Sequence, residues 1–162
     1  MAQEAGEFGL HLWTDSDTSG KRRFLPGSPF AVRVTGVRAA AAGSFIMGVE
    51  EYTDGPADEE MLASAGADVV ASLTAGERLQ LHPHTRDEFG NASFATDSAL
   101  TCTLQTPGEH GEHSMDDVAI KRLKELGSYE IVSELTKKGV HSMSIHLNGE
   151  HIGGSPVQVP LT

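Results

Sequence analysis

Histidine is the residue best supplied for chemistry in this chain, with eight in 162 positions, and four of them come in close pairs. His82 and His84 flank Pro83. In an extended segment such residues share a face about 7 Å apart, a spacing at which two imidazoles can hold a transition metal. Pro83 and the turn-forming Asp87 just beyond favour a different reading, a surface strand end. His110 and His113 lie in one segment with Asp116 and Asp117, a donor set that suits zinc. No cysteine or fixed scaffold stands beside them, and a solvated loop is the competing reading. The carboxylates Glu50, Glu51, Asp54, Asp58, Glu59 and Glu60 surround Gly55 and Pro56 with no basic residue to offset them. Calcium loops space their ligands at fixed short intervals around a glycine, in the order D-x-[DN]-x-[DN]-G. This segment lacks that order and reads as a solvated acidic loop.

Nucleophilic chemistry has less to start from. The single thiol, Cys102, shares the parity of Leu100 and Leu104 and should face a core as a small hydrophobe. The chain contains no G-x-S-x-G, no G-x-x-x-x-G-K-[ST], and no G-x-G-x-x-G opening a helix. We therefore expect no enzyme, no cofactor and no resident metal, with a histidine-based metal enzyme as the one catalytic alternative. Lys21, Arg22 and Arg23 form a basic cluster at a hairpin tip. Such a cluster is either solvated or in contact with an acidic partner, such as the 50–60 loop of a neighbouring domain.

The elements that would position these residues are strands. Phe8, Leu10 and Leu12 alternate with Gly9 and His11, and Phe30, Val32 and Val34 with Ala31 and Arg33. Period two returns at Leu79 and Leu81, at Leu100, Cys102 and Leu104, at Tyr129 and Ile131, at Met143, Ile145 and Leu147, and at Val157 and Val159. At least seven short alternating runs, punctuated by Gly, Pro, Asn and Asp, predict an antiparallel all-β sandwich. Residues 115–126 (MDDVAIKRLKEL) read either as an edge strand or as a short helix.

Length and charge narrow the function classes. At 38% apolar residues plus 18 glycines the chain has a globular composition, and its length allows one domain plus a fragment of a second. The net charge is −11, from 12 basic and 23 acidic residues, and residues 37–97 carry eight of those surplus negative charges. Such a surface repels polyanions, so neither nucleic acid nor an anionic membrane face is an expected partner. No apolar run approaches the roughly 20 residues needed to cross a bilayer as a helix. The start, MAQEAGEFGL, has neither the basic opening nor the apolar stretch of a secretory signal. Together with a lone cysteine this points to a cytoplasmic location.

An internal repeat is the most informative feature. Gly6, Phe8, Leu10 and Leu12 precede Gly27, Ser28 and Pro29, while Gly139, His141, Met143 and Ile145 precede Gly154, Ser155 and Pro156; each Gly-Ser-Pro leads into another alternating run. Both copies read as one β-hairpin, the first with a longer loop, which costs little. Proline marks the start of a strand because it donates nothing to a ladder, and glycine lets the chain turn into it.

These residues resemble the last two strands, F and G, of a filamin-type immunoglobulin-like repeat. Residues 127–159 carry the fuller pattern, with Gly127, Ser128 and Tyr129 at the entry to strand E, Asn148 and Gly149 between F and G, and Ile152 to Pro156 as I-x-G-S-P. Ala75, Gly76, Asp87, Gly90 and Asn91 resemble strand B and its turn, residues 100–107 strand C, and Val118 to Ile120 strand D. The extended GEHGEHSMDD between C and D, His141 in place of an aromatic, and Val157 in place of phenylalanine depart from the family pattern. The resemblance implies a complete immunoglobulin-like repeat over 37–162, with an acidic insertion near 50–60. It also implies that 1–36 is the F–G hairpin of a preceding repeat.

It further implies a non-enzymatic protein-binding and spacing module of a cytoskeletal or scaffold protein, with protein segments or neighbouring repeats as partners. These would bind by strand addition at a groove between C and D lined by Leu100, Thr101, Cys102, Thr103, Val118 and Ile120. In one variant residues 1–36 mask that groove. Actin binding in filamins belongs to a separate helical domain, so none is expected here. The alternative is a filamin-like ectodomain of a gamete-type adhesion protein, on the extracellular face.

Overall fold

The computed structural model describes residues 4–15, 22–47, 73–108 and 111–162. The acidic 50–60 segment, Lys21 and His110 lie outside these residues. The chain divides into two units, Met1–Gly36 and Val37–Thr162.

The first unit contains β1 (Gly6–Leu10), β2 (Trp13–Asp15), β3 (Arg22–Phe24) and β4 (Phe30–Val34). β1 pairs with β4 and β2 with β3, both antiparallel. The Leu25 N–H donates to Leu12 O at 3.0 Å, and the Leu12 N–H to Ser28 Oγ at 3.1 Å. These bonds make one long hairpin of the two ladders. Period two puts Phe8, Leu10, Phe30 and Val32 on a single face, with Glu7 opposite Arg33 on the other.

The second unit is an all-β, immunoglobulin-like sandwich. Its strands are β5 (Ala40–Met47), β6 (Arg78–Arg86), β7 (Leu100–Pro107), β8 (His113–Asp117), β9 (Ile120–Arg122), β10 (Tyr129–Glu134), β11 (Gly139–Leu147), β12 (Glu150–His151) and β13 (Val157–Leu161). One sheet runs β5-β6-β10-β9; in the other, β8 pairs with β7, β7 with β11, and β11 with both β12 and β13. Alternate residues of the two inner faces make the core: Leu79, Leu81 and Ile131 from one sheet, and Cys102, Leu104, Met143, Ile145, Val157 and Val159 from the other. The parities read from the sequence assign these residues to the core, Cys102 included. Residues 115–126 form no helix: β8 and β9 take up part of the segment, each on a different sheet.

A buried carboxylate sets the turn after β6. Asp87 is fully buried, and its Oδ1 accepts from the N–H groups of Phe89 (3.0 Å) and Asn91 (2.8 Å) while Oδ2 accepts from Val37 N–H (3.0 Å). The Asn91 amide donates to both oxygens. Burial pushes this carboxyl up, but the hydrogen bonds from Asn91, Val37 and Phe89 outweigh it and hold Asp87 below its ordinary range. One side chain thus closes the β6–β7 connection and anchors the first residue of the unit. Gly127 fits the same corner for a steric reason: at φ +77° it approaches the backbone of Thr85, whose N–H donates to Gly127 O at 2.7 Å, and a Cβ there would collide with Thr85 O.

Asp87→Ala should destabilise the fold by about 3 kcal/mol, because it strands buried N–H donors that a charged acceptor now satisfies. Urea unfolding checks this through a lowered midpoint at unchanged m-value, and a loss below about 1 kcal/mol would contradict the assigned role.

Candidate functional site

The six residues expected to line a C–D groove fall into three environments. Cys102 is buried in the core, and Thr101 is exposed on β7. Leu100, Val118 and Ile120 are half-buried and pack against the core from the rim where β7, β8 and β9 meet. Thr103 is half-buried and pairs with Asp117 of β8.

That last pairing alters the expected geometry. β8 is hydrogen-bonded along β7 from Thr103↔Asp117 to Pro107↔His113, and the Val118 N–H donates to Cys102 O at 2.9 Å. The edge of β7 is thus occupied by the chain itself from Cys102 onward. The physical reason is the length of the GEHGEHSMDD connection. It is long enough to fold back as a hairpin, closed by the Gly108 N–H donating to Glu112 O at 2.7 Å and turned at Gly111, φ +83°. Strand D is correspondingly short, with Ile120 opposite Ile131 and Arg122 opposite Tyr129.

Beside this rim lies a cleft of about 180 Å³ lined by Leu100, Ile120, Arg122, Tyr129 and Asp97, among others. Its walls are fixed by specific contacts. The Ala95 N–H donates to Tyr129 Oη at 2.9 Å, Phe94 meets the Tyr129 ring edge-on at 5.8 Å, and the Arg122 guanidinium lies 3.4 Å from the Phe94 ring centre. Ser98, also on the cleft, takes the left-handed backbone conformation at φ +67°. β8 itself has an open edge, since among the described residues it pairs only with β7, but none of its residues lines the cleft. The Val118 N–H points at β7, so by alternation the amides of His113, Met115 and Asp117 point outward.

The histidines sit differently from their expected surface strand end. His82 is buried and His84 half-buried on the outer face of β6, where Phe45 of β5 stacks on the His84 ring at 5.5 Å and 11°. The Arg86 guanidinium lies 5.4 Å from the other partner's centre, the Phe45 ring. Ser128 Oγ lies 3.3 Å from His84 Nδ1. Burial first, then the charges of His82 and Arg86, lower His84 to a pKa of about 4. Burial also lowers His82, against an upward pull from Glu130.

His141, read from the sequence as standing in place of an aromatic, is a core residue whose Nε2–H donates to Lys137 O at 2.7 Å. One feature escaped sequence reasoning. His146 and His151 face each other across the β11–β12 turn with ring centres 4.0 Å apart; their only sequence signal was symmetric placement about Asn148-Gly149. Burial and then the His151 charge lower His146. His113 and Asp117 share one face of exposed β8 and Asp116 lies on the other, and among the described residues no group of three or more His, Cys, Asp or Glu side chains is gathered for a metal ion. Among the described residues no helix is long and apolar enough to cross a membrane.

Comparison with known proteins supports the fold. The filamin domain of Lin-41 is similar over 78% of this chain and 98% of its own length, at 15% identity and a TM-score of 0.50. The Escherichia coli adhesin FdeC aligns with 98% of this chain at 14% identity and a TM-score of 0.47, and the chain spans about half (52%) of that structure. No family model matches the chain, and no curated protein sequence matches it. The likeness to the Lin-41 domain shows the fold, an immunoglobulin-like sandwich of filamin type.

Two solution properties follow from the buried groups. The folded state favours neutral His84, so its contribution to stability is complete above the unfolded value near 6.5 and is lost as pH falls toward about 4. Urea unfolding at pH 7 and pH 5 should show lower stability at pH 5, and His84→Gln should flatten that slope; an unchanged slope would exclude His84 as its source. Burial raises the Cys102 thiol to about 12, so a disulfide reagent should label it at neutral pH only after denaturation. Rapid labelling of the native protein would contradict its core position.

Proposed function

We propose that the Val37–Thr162 unit is a non-enzymatic protein-binding and spacing module that takes up an extended partner segment by strand addition at the β8–β9 rim. One observation carries the reading: β8 offers an open edge, and the half-buried apolar residues Leu100, Val118 and Ile120 lie at the rim where that strand ends. An open edge presents unpaired N–H and C=O groups to an incoming strand, and alternate side chains of that strand supply selectivity through pockets. The partner would hydrogen-bond to the outward amides of His113, Met115 and Asp117 and place an apolar side chain against Leu100, Val118 and Ile120 at the rim. Cys102 and Thr103 then support the rim from β7 without touching the partner backbone, because the chain at Asp117 and Val118 lies between, while Thr101 stands just beyond the end of that pairing. The half-buried apolar trio at the rim gives the added strand something to cover, which a hydrogen-bonded edge alone does not.

Peptides selected from a phage-displayed library against the full chain should bind with affinity that Met115→Pro lowers at least tenfold. That substitution removes an outward amide from the edge strand and leaves the β7–β8 ladder intact. Thermal unfolding of the variant should match the parent. Selected peptides that bind equally well to Met115→Pro and to Ile120→Asp would refute strand addition at this rim.

A further inference from the structure

The hairpin of the first unit repeats the β11–β13 hairpin of the second in register and in hydrogen bonding. Phe8↔Val32 and Leu10↔Phe30 correspond to His141↔Val159 and Met143↔Val157. Toward the tip, Trp13↔Phe24 corresponds to His146↔His151. The Leu25 N–H donates to Leu12 O at 3.0 Å, as the Ile152 N–H donates to Ile145 O at 3.2 Å. Ser28 Oγ accepts from Leu12 N–H at 3.1 Å, as Ser155 Oγ accepts from Ile145 N–H at 2.8 Å. The glycines ahead of these serines, Gly27 and Gly154, have φ of +87° and +81°. The shared geometry extends well past the three-residue Gly-Ser-Pro motif.

What differs is coverage. His141, Met143, Ile145, Ile152, Val157 and Val159 are at most 4% exposed, whereas Phe8, Leu10, Leu12, Leu25, Phe30 and Val32 at the corresponding positions are between 38% and 49% exposed. In the second unit that face is covered by Leu79, Leu81 and Ile131 of the facing sheet, and the free side of β11 is paired by β7. In the first unit, among the described residues, β1 pairs only with β4. A two-stranded hairpin of this kind is marginal in water by itself, and a contiguous apolar face of this kind marks an interaction surface.

We infer that the apolar face of the Met1–Gly36 hairpin is a docking surface for an immunoglobulin-like half-sandwich that lacks its own last two strands. The hairpin would complete that partner by supplying strands F and G. The occupant must offer what β5, β6, β7, β9 and β10 offer to β11 and β13: an open apolar sheet face, and a strand edge able to pair with β1. An intact Val37–Thr162 unit does not qualify, because its acceptor face is already filled by β11 and β13. This inference concerns a different surface from the β8–β9 rim, and either can fail without the other.

The probe is residues 37–137 of this same chain, a half-sandwich without β11–β13, co-expressed with the tagged full chain. Co-purification of the two is expected. Phe8→Asp with Val32→Asp in the full chain should reduce recovery at least tenfold, while the charge swap Glu7→Lys with Arg33→Glu on the opposite face should leave it unchanged. Residues 138–162 serve as the positive control for the probe. Capture of 138–162 but not of the full chain would overturn the inference, as would capture indifferent to Phe8→Asp and Val32→Asp. If the probe captures neither, a full chain whose residues 139–161 are replaced by the sequence of 6–34 decides the matter. Cooperative unfolding of that chimera, lost on Phe8→Asp with Val32→Asp, supports the inference, and a chimera that does not fold overturns it.

Discussion

The apolar face of β11 and β13 has to be kept from water, and the rest of the second unit is arranged to do it. Met143, Ile145, Val157 and Val159 point one way from a continuous ladder, and each such side chain gains about 1.5–3 kcal/mol from burial. No two-stranded ribbon can bury one face of itself. A second sheet is therefore required, and β6 and β10 provide it through Leu79, Leu81 and Ile131. The Asp87 turn and the Gly127 corner fix the ends of the β5-β6-β10-β9 sheet, and the contact of β5 with Gly153 ties that sheet to the other. In that last contact, the Gly153 N–H donates to Ser44 O at 2.8 Å and the Ile46 N–H to Gly153 O at 3.0 Å.

Most polar groups inside such a fold are held by hydrogen bonds. Asp87 is the clearest case, a charged side chain at zero exposure that is tolerable because backbone and amide donors from three residues converge on it. Glu130 shows the outward version. Lys121 Nζ donates to it at 2.9 Å, as does the Gln80 amide, and the Lys121 hydrogen bond leads the causes that lower its pKa. Lys121 is largely exposed, so this pair contributes little stability and serves to tie β9 to β10 across the sheet.

The strands that touch the core were legible because burial imposes a period on them. β11 alternates buried and half-buried positions along most of its length, and the same alternation in the sequence placed Met143, Ile145, Leu147 and Cys102 correctly. Asp87, Gly90 and Asn91 were legible as a turn, since Asn91 and the carboxylate form a local hydrogen-bonded loop. β8 was not legible. Its residues HSMDD are exposed on both faces, so no hydrophobic pattern reports a strand held only by backbone pairing to β7. That blind spot reaches the candidate site, because the occupant of the β7 edge decides which edge a partner can reach. His141 was legible in position, by its parity with Met143 and Ile145, but not in how it is held: the Lys137 carbonyl that accepts from its Nε2–H comes from the preceding turn.

The β8 hairpin changes what strand addition demands of this fold. A partner that paired directly with β7 would first have to remove a ladder running from Thr103 to Pro107, losing hydrogen bonds before making its own. Adding outside β8 carries no such cost, and it leaves the core-facing residues of β7 undisturbed. The selectivity of an added strand then depends on side chains that reach past β8 to the rim, where Leu100, Val118 and Ile120 are the apolar groups within the sandwich's own packing. On the proposed reading, the insertion between C and D moves the edge open to a partner outward by one strand and leaves the apolar residues at the rim.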